Sequence, residues 1–356
     1  MAGFDAARAL AQYDPGKLTI ATVCSHSSLQ IFNGARREGF RTLGICRGPP
    51  PKYYDAFPLA KPDAFFSVNE YTDLLDRADE LRAQNVLIIP HGSFVEYMGA
   101  ANYAKLEVPV FGNRGVLEWE SDRERSRQWL LSAGVNMPEV IEDPKDINRP
   151  CIVKYMGAKG GRGFFIARNY EEFKARIDTT KPYHIQEFVL GTRYYIHYFH
   201  SPLVQEGYTL PGGGTLQFLG VDRRDESIID EAHRLGSIYE LEEMGIQPSF
   251  VVTGNFPLVM RESLLPEALE MGARVVAKAK ELFGGLWGPF CLETVITDKL
   301  QFKVFEISAR IVAGTNPYIS GSPYSDLVQP GLSTGQRIAQ EFRIAQKLNA
   351  LGRILT

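Results

Sequence analysis

The chain has 356 residues, 44% of them hydrophobic and 23% charged, a composition that folds into packed cores and fits two or three domains. A net charge of −3 leaves no basic footprint and argues against nucleic acid as a main partner. Cys24, Cys46, Cys151 and Cys291 form no Cys-x-x-Cys pair, so zinc ribbons and dithiol redox motifs lack support, and buried reduced thiols are expected. No run approaches the roughly 20 apolar residues of a membrane span. The N-terminus lacks the basic and apolar regions of a signal peptide, and a soluble, cytoplasmic protein without a membrane partner is expected.

In chain order, MAGFDAARALAQYDPGK reads as a short amphipathic helix. LTIATVC is then a strand, Ser27–Glu38 a helix, RTLGIC and FFSV strands, Asp73–Ala83 a helix, and VLIIP and VPVFG strands. Strands alternating with helices imply a parallel sheet of βαβ units. Leu117–Ser132 is a charged helix, and the three prolines of Pro138–Pro150 mark a linker or edge segment. From there the rhythm changes to hairpins. Tyr170–Ile177 is helical, YHIQEFV and YYIHYF form a long strand pair, and Leu264–Phe283 is an amphipathic helix with Pro266 in its first turn. GPFCLETVI and QFKVFEI are strands, a terminal helix runs from Thr334 to about Ala350, and Pro211–Gly214 is a protruding hairpin tip. The fold class is thus α/β in front and α+β behind.

Ligands of a parallel sheet bind at the carboxyl ends of its strands. Three such ends carry polar residues: Cys24 to Ser28 with His26, His91 to Ser93, and Asn113-Arg114. Ser27 and Ser28 either cap the helix that follows or bind an anion at its start, and His26 is either structural or a ligand. The convergence of the three ends favours a phosphorylated small molecule.

Cys151–Ala167, CIVKYMGAKGGRGFFIA, joins two apolar strands through a Gly/Lys/Arg loop. Amides freed of side chains beside Lys154, Lys159 and Arg162 make a phosphate pocket. A P-loop or Rossmann turn runs from strand to helix, whereas this loop returns to a strand. It therefore reads as a hairpin lid over a triphosphate, the alternative being an ordinary glycine hairpin with solvated charges. His184–Gly191 reads as an adenine hinge, with backbone at Phe188, Val189 and Leu190 on the base edge and Gln186 or Glu187 reaching the amine or ribose. Glu293 and Glu306 close FCLE and KVFE, strands joined by a short turn. Side by side they would repel unless a cation bridged them, and Mg²⁺ on ATP fits; otherwise they are edge acids facing water. Arg310 follows and would neutralise a transferring phosphoryl group. His197 and His200 point to opposite faces of one strand and are read as structural.

A lysine strand, a glycine lid, a hinge and two late acids resemble the ATP-grasp superfamily. The segments TIATVCSHSSLQI, IIPHGSFVEY, VFGNRGVLEWES, VKYMGAKGGRGFFIA, FVLGTRYYIHYFHSPL, TGNFPLVMRESLLPE, GPFCLE and VFEISARIVAGTN are similar, over nearly the whole chain, to the archaeal PurP family. That resemblance implies an ATP-grasp fold behind a Rossmann-like parallel-sheet domain, with a substrate-binding part over 1–118, a lid-bearing part over 119–195 and a metal-bearing part over 196–356. It implies formate-dependent formylation of AICAR to FAICAR in purine biosynthesis through formyl phosphate, releasing ADP and phosphate. By resemblance His26, Ser27, Ser93 and Asn255 bind AICAR, with His26 near the formate and amine and catalytic beside Arg310, whose role is read from its own position after Glu306. Lys154, Lys159, Gly160, Gly161, Arg162, Gly163, Gln186, Glu187, Phe188, Val189 and Glu226 take ATP, and Glu293 and Glu306 take Mg²⁺ or Mn²⁺. A homo-oligomer is implied too, and Val204–Leu216 looks like an insertion. The rival readings are an ATP-grasp paralogue joining another carboxylate and amine, or a nucleotide-binding protein without turnover.

Overall fold

The computed structural model describes residues 4–155, 163–227 and 251–356. Strands β1 (Thr19–Val23), β2 (Arg41–Arg47), β3 (Ala64–Val68) and β4 (Val86–Ile88) form a parallel sheet in the order β3-β2-β1-β4. All five residues of β1, TIATV, are buried, as a strand covered on both faces requires. Helix α1 (Ala6–Leu10) is shorter than expected, because Asp14 starts a separate 3₁₀ turn at Pro15–Lys17 by accepting from the Gly16 amide. Helix α2 (Ser28–Arg37) follows β1.

The single helix expected over Asp73–Ala83 is two pieces, a 3₁₀ turn at Tyr71–Leu74 and α3 (Ala78–Arg82). Glu70 and Asp73 form a capping box around that turn and spend its hydrogen bonds locally. VPVFG is likewise no full strand. Val110 bridges Ile88 on one side and Phe111 bridges Leu355 on the other, so the segment threads between two partners. After α4 (Gly92–Met98) and α5 (Ala100–Lys105), the helix expected over Leu117–Ser132 splits into α6 (Val116–Ser121) and α7 (Arg123–Ser132). Asp122 leaves helical space at φ −95° and ψ 115°, and its carboxylate accepts from the Glu124 and Arg125 amides as a new N-cap.

A second, antiparallel sheet holds β5 (Cys151–Tyr155), β6 (Phe164–Ala167) and β7 (Tyr183–Glu187) in the order β6-β5-β7, with α8 (Tyr170–Arg176) packed against it. Val140 bridges Gln186, which makes the proline-rich segment an edge. The third sheet is antiparallel, in the order β10-β9-β8-β11-β12, from β8 (Thr192–Ser201), β9 (Thr215–Glu226), β10 (Val252–Pro257), β11 (Gly288–Ile296) and β12 (Phe302–Ser308).

The expected pairing of YHIQEFV with YYIHYF does not occur, since β7 and β8 lie in different sheets. The chain crosses between them at Gly191, where an added Cβ would stand 2.2 Å from the Ile296 carbonyl oxygen, and β8 then pairs with β11 over its length. The Pro211–Gly214 turn does not stand free either: Lys280 of α9 (Leu265–Phe283) donates to the Gly212 carbonyl at 3.1 Å.

After α10 (Ser325–Val328), α11 (Thr334–Lys347) returns to pack on α2. The two helices cross at glycines: a Cβ on Gly34 would lie 2.2 Å from the Gln336 amide nitrogen, and one on Gly335 2.2 Å from the Gln30 carbonyl oxygen. Neither backbone can yield, so Gly335→Ala is expected to cost about 1–3 kcal/mol. A thermal melt within a degree of wild type would contradict that.

Candidate active site

At the end of β1 the backbone turns sharply, with Ser27 at φ +69°, a left-handed conformation uncommon outside glycine. Ser27 sits at the N-cap of α2 but makes no capping bond. Its buried Oγ finds no partner among the described residues. Ser28 does not cap either; its hydroxyl donates to the Ser25 carbonyl at 2.6 Å and bonds Tyr54 at 2.7 Å. The capping alternative thus gives way to an open polar atom in a site. A cavity of about 420 Å³ is lined there by residues including Cys24, His26, Ser27, Tyr53, Asn316 and Ile319. Cys24 is not fully buried, and desolvation pushes its thiol up to about 12.

The second strand end joins this site. His91 caps α4, burial first and then Arg310 and His26 hold its imidazole down at about 4, and the neutral ring donates from Nε2 to the Val23 carbonyl at 2.9 Å. Ser93 is buried one residue into α4. The third end does not take part. Asn113 donates to the Phe283 and Gly285 carbonyls, and Arg114 spends its guanidinium on the carbonyls of Tyr103, Leu106, Val108 and Thr356. Both are structural braces, and the second strand end meets the first through the His91–Val23 bond.

Glu293 and Glu306 are register partners on β11 and β12, with a bulge immediately after Glu293. Of the pair expected to need a bridging cation or else to face water, Glu293 already has a protein cation beside it. Arg224 on β9 bonds Glu293 at 3.2 and 3.4 Å while stacking 3.6 Å over the Tyr195 ring. Glu306 remains solvent-accessible; desolvation by the surrounding protein, then the charges of Glu293 and Glu120, push its carboxyl up to about 7. Among the described residues no three His, Cys, Asp or Glu side chains close into a metal cluster. A cation here would therefore use the two glutamates and draw its other ligands from bound phosphates and water. Glu306, ill at ease as a carboxylate without a counter-ion, fits that use better than Glu293.

Arg310 lies between the two regions. Its guanidinium pairs with Glu120 at 2.7 Å, and a Cβ on Gly92 would meet it at 3.4 Å. Its buried Nε has no partner among the described residues. Glu120 also accepts from the Ala309 amide at 2.9 Å, which fixes the backbone that presents Arg310. Asn255, in register with Arg224, holds its Oδ1 buried and without a partner among the described residues.

Lys154 stands on β5 opposite His184. Burial lowers its ammonium pKa, the Glu306 carboxylate opposes that, and Arg123 and Arg193 add to it. The lysine thus shares electrostatic space with the acid pair. Gly163 closes the hairpin, its carbonyl accepting from the Tyr155 amide at 2.9 Å. Lys159, Gly160, Gly161 and Arg162 lie outside the described residues. In the hinge, Glu187 is engaged with Lys303 at 3.1 Å and with the Glu139 amide at 3.2 Å, and the Phe188 amide donates to Pro150. Gln186 is bridged by Val140, Val189 lies on the linker, and Leu190 is exposed. Glu226 pairs with Arg193 at 2.8 Å.

Arg224 and Glu120 escaped the sequence reading. Arg224 had a signal, since Asp222, Arg224 and Glu226 recur at the period of two that puts them on one strand face. Glu120, on a charged helix, had none.

A parallel sheet followed by a small antiparallel sheet and a larger one, with the acid pair, Lys154 and Arg310 within electrostatic reach of one another, defines the ATP-grasp class of enzyme. The fold is shared with N5-carboxyaminoimidazole ribonucleotide synthetase from Thermotoga maritima, at a TM-score of 0.59 and 14% identity over 92% of this chain and 76% of that one. The likeness is greater to an IMP biosynthesis protein PurP from Thermococcus kodakaraensis, at a TM-score of 0.74 and 30% identity over 95% of this chain and all of that one. A family model described as a domain of unknown function (DUF1297) matches residues 170–356, and one described as a protein of unknown function (DUF1246) matches 20–141. Relatives from Methanothrix thermoacetophila and Methanosarcina acetivorans are 64% and 63% identical, over 97% and 98% of this chain and 96% and 97% of theirs. Both carry the name 5-formaminoimidazole-4-carboxamide-1-(beta)-D-ribofuranosyl 5'-monophosphate synthetase. The chain belongs to that family of synthetases, the PurP family.

Proposed function

We propose that the chain joins formate to the amine of AICAR at the expense of ATP, giving FAICAR, ADP and phosphate in purine biosynthesis. The observation that carries this reading is Arg310, whose charge acts on the His91 imidazole at the strand ends and on the Glu306 carboxyl. Formate is a poor electrophile. Transfer of the γ-phosphoryl group to one of its oxygens gives formyl phosphate and ADP. The AICAR amine then attacks the formyl carbon, phosphate leaves with the C–O bond electrons, and the amine gives up a proton.

His26, Ser27, Ser93 and Asn255 would seat AICAR, and the open Oγ of Ser27 and Oδ1 of Asn255 supply hydrogen-bonding atoms that substrate would satisfy. His26, exposed and lining the pocket, would take the amine proton. Lys154, the lid residues Lys159 to Gly163, the hinge from Gln186 to Val189 and Glu226 would hold ATP. A lid over the site would exclude the water that hydrolyses an acyl phosphate. Glu306 with Glu293 would hold Mg²⁺, or Mn²⁺ in its place, which when bound neutralises phosphate charge. Arg310 would face the charge on the transferring group.

Three working parts serve this chemistry, over 1–118, 119–195 and 196–356. Because β8 starts at Thr192, the second border belongs at 188–191. No helix among the described residues is long and apolar enough to cross a membrane, and a cytoplasmic setting goes with the reading. A homo-oligomer also belongs to it, with the exposed Leu59 and Leu327 offering apolar surface; sedimentation gives the stoichiometry.

The test is phosphate release from ATP, Mg²⁺ and formate with and without AICAR, with the product read by mass spectrometry. Release coupled to a formylated AICAR mass supports the reading, and tight ATP binding without turnover moves the chain to another carboxylate and amine. Within it, His26→Ala should lower the AICAR- or formate-dependent rate about 10²-fold and leave ATP affinity alone. An unchanged rate would make His26 a bystander.

A further inference from the structure

Behind the substrate pocket lies a buried polar cluster to which the chemistry above assigns no task. The 3₁₀ segment Ala313–Tyr318, with Ile319 after it, forms one wall of the pocket. Three residues per turn put Asn316 and Ile319 on one row, and both line the cavity. Gly314 and Tyr318 fall on the other rows and face inward. There Asp222, fully buried on β9, accepts a short hydrogen bond from Nε2 of the buried His197. A Cβ on Gly314 would stand 2.4 Å from Asp222 Oδ1 and 3.0 Å from Oδ2, so the carboxylate is packed directly against the segment's backbone. The Tyr318 ring stands edge-on to His197 at 5.9 Å, and it fits only because Gly220 has no Cβ, one there lying 2.7 Å from the ring. Asp222 Oδ2 and the Tyr318 hydroxyl are both buried without a partner among the described residues.

An apolar group would fill this space at less free-energy cost than a half-satisfied carboxylate, so stability does not account for Asp222. We propose that Asp222 and His197 are positioning residues that seat the segment 313–319 and thereby set the wall that Asn316 and Ile319 present to AICAR. His197 fixes the carboxylate, the carboxylate fixes the Gly314 backbone, and Tyr318 locks the far end of the segment against the imidazole. From the pocket side, Gln30 holds the same segment through Thr315 at 2.6 Å and Asn316 at 3.1 Å. The wall is thus clamped between two polar anchors. This inference rests on the proposed substrate.

The test is steady-state kinetics on the full chain with ATP and AICAR varied separately, alongside thermal melts. Asp222→Ala is expected to raise KM for AICAR about tenfold and to leave KM for ATP within twofold. Asp222→Asn, which keeps the acceptor for His197, should restore most of the loss. Gly314→Ala, pressing on the carboxylate from the segment's side, should reproduce the AICAR effect, and it carries the test if Asp222→Ala does not fold. Lowered melting temperatures with an unchanged KM for AICAR would make the pair merely structural and overturn the inference. A wild type that turns over AICAR while the variants keep its KM sinks the inference alone; a wild type inert toward AICAR sinks both it and the proposed substrate.

Discussion

Glu306→Gln is expected to fold as wild type and to lose about 10²–10³ in kcat. The substitution keeps the shape of the side chain and removes the charge that a bound cation would need. Full activity in the variant would refute the metal assignment. A loss confined to KM for ATP would place the carboxylate in ground-state binding alone.

The pH dependence carries the same argument with its sign fixed. In the unliganded protein, desolvation and then Glu293 and Glu120 raise the Glu306 carboxyl from 4.5 to about 7. Below pH 4.5 folded and unfolded chains both hold the proton, and the site costs the fold nothing. Between 4.5 and about 7 the unfolded chain has released its proton and the folded one has not, so stability falls as pH rises and the full cost stands above 7. Because solvent reaches Glu306, that cost is screened and small. Glu306→Gln removes it, so the variant's melting temperature relative to wild type should climb from pH 5 to pH 8. In wild type the acid limb of kcat/KM should lie near pH 7 and move down at saturating Mg²⁺ and ATP, since a bridging cation favours the carboxylate. An inactive but relatively stabilised protein at high pH distinguishes a site residue from a structural one.

What the sequence made legible follows from where its information is local. Continuous apolar runs such as TIATV announce buried parallel strands whatever surrounds them. The pairing of Glu293 with Glu306 was readable because a short turn leaves adjacent strands little choice of register. Choice of a distant neighbour is another matter. YHIQEFV and YYIHYF alternate equally well, and only the passage of Gly191 beside Ile296 sends β8 to β11 instead of β7. Arg224 and Glu293 are 69 residues apart, so the cation that neutralises the buried acid could not be seen from either. Asn113 and Arg114 misled for the converse reason. A polar pair at a strand end looks like a site until the carbonyls that occupy it, from α9, α5 and Thr356, are in place. The left-handed turn at Ser27 is imposed by packing; nothing in CSHSS demands it.

Arg310→Ala should cost about 10³-fold or more in kcat, the scale of removing an arginine that faces a transferring phosphoryl group, and should destabilise the fold as well. Those effects have different causes and can be separated. Arg310 and Glu120 have side chains 19% and 11% exposed, buried enough that removing the guanidinium strands a carboxylate in low dielectric. The expected penalty is about 3 kcal/mol, the lower end for orphaning one partner of a buried pair. Glu120→Gln in the same chain removes the stranded charge and keeps an amide oxygen for the Ala309 amide, so the double variant should melt close to wild type. It should remain as slow as Arg310→Ala alone, because no cation has returned to the junction between the strand-end pocket and the glutamates. Recovery of rate together with stability would mean that Arg310 serves only to balance Glu120, and a single variant within tenfold of wild-type kcat would remove it from the chemistry. Either result would also remove the cation whose charge reaches both His91 and Glu306, on which the joining of the two half-sites rests.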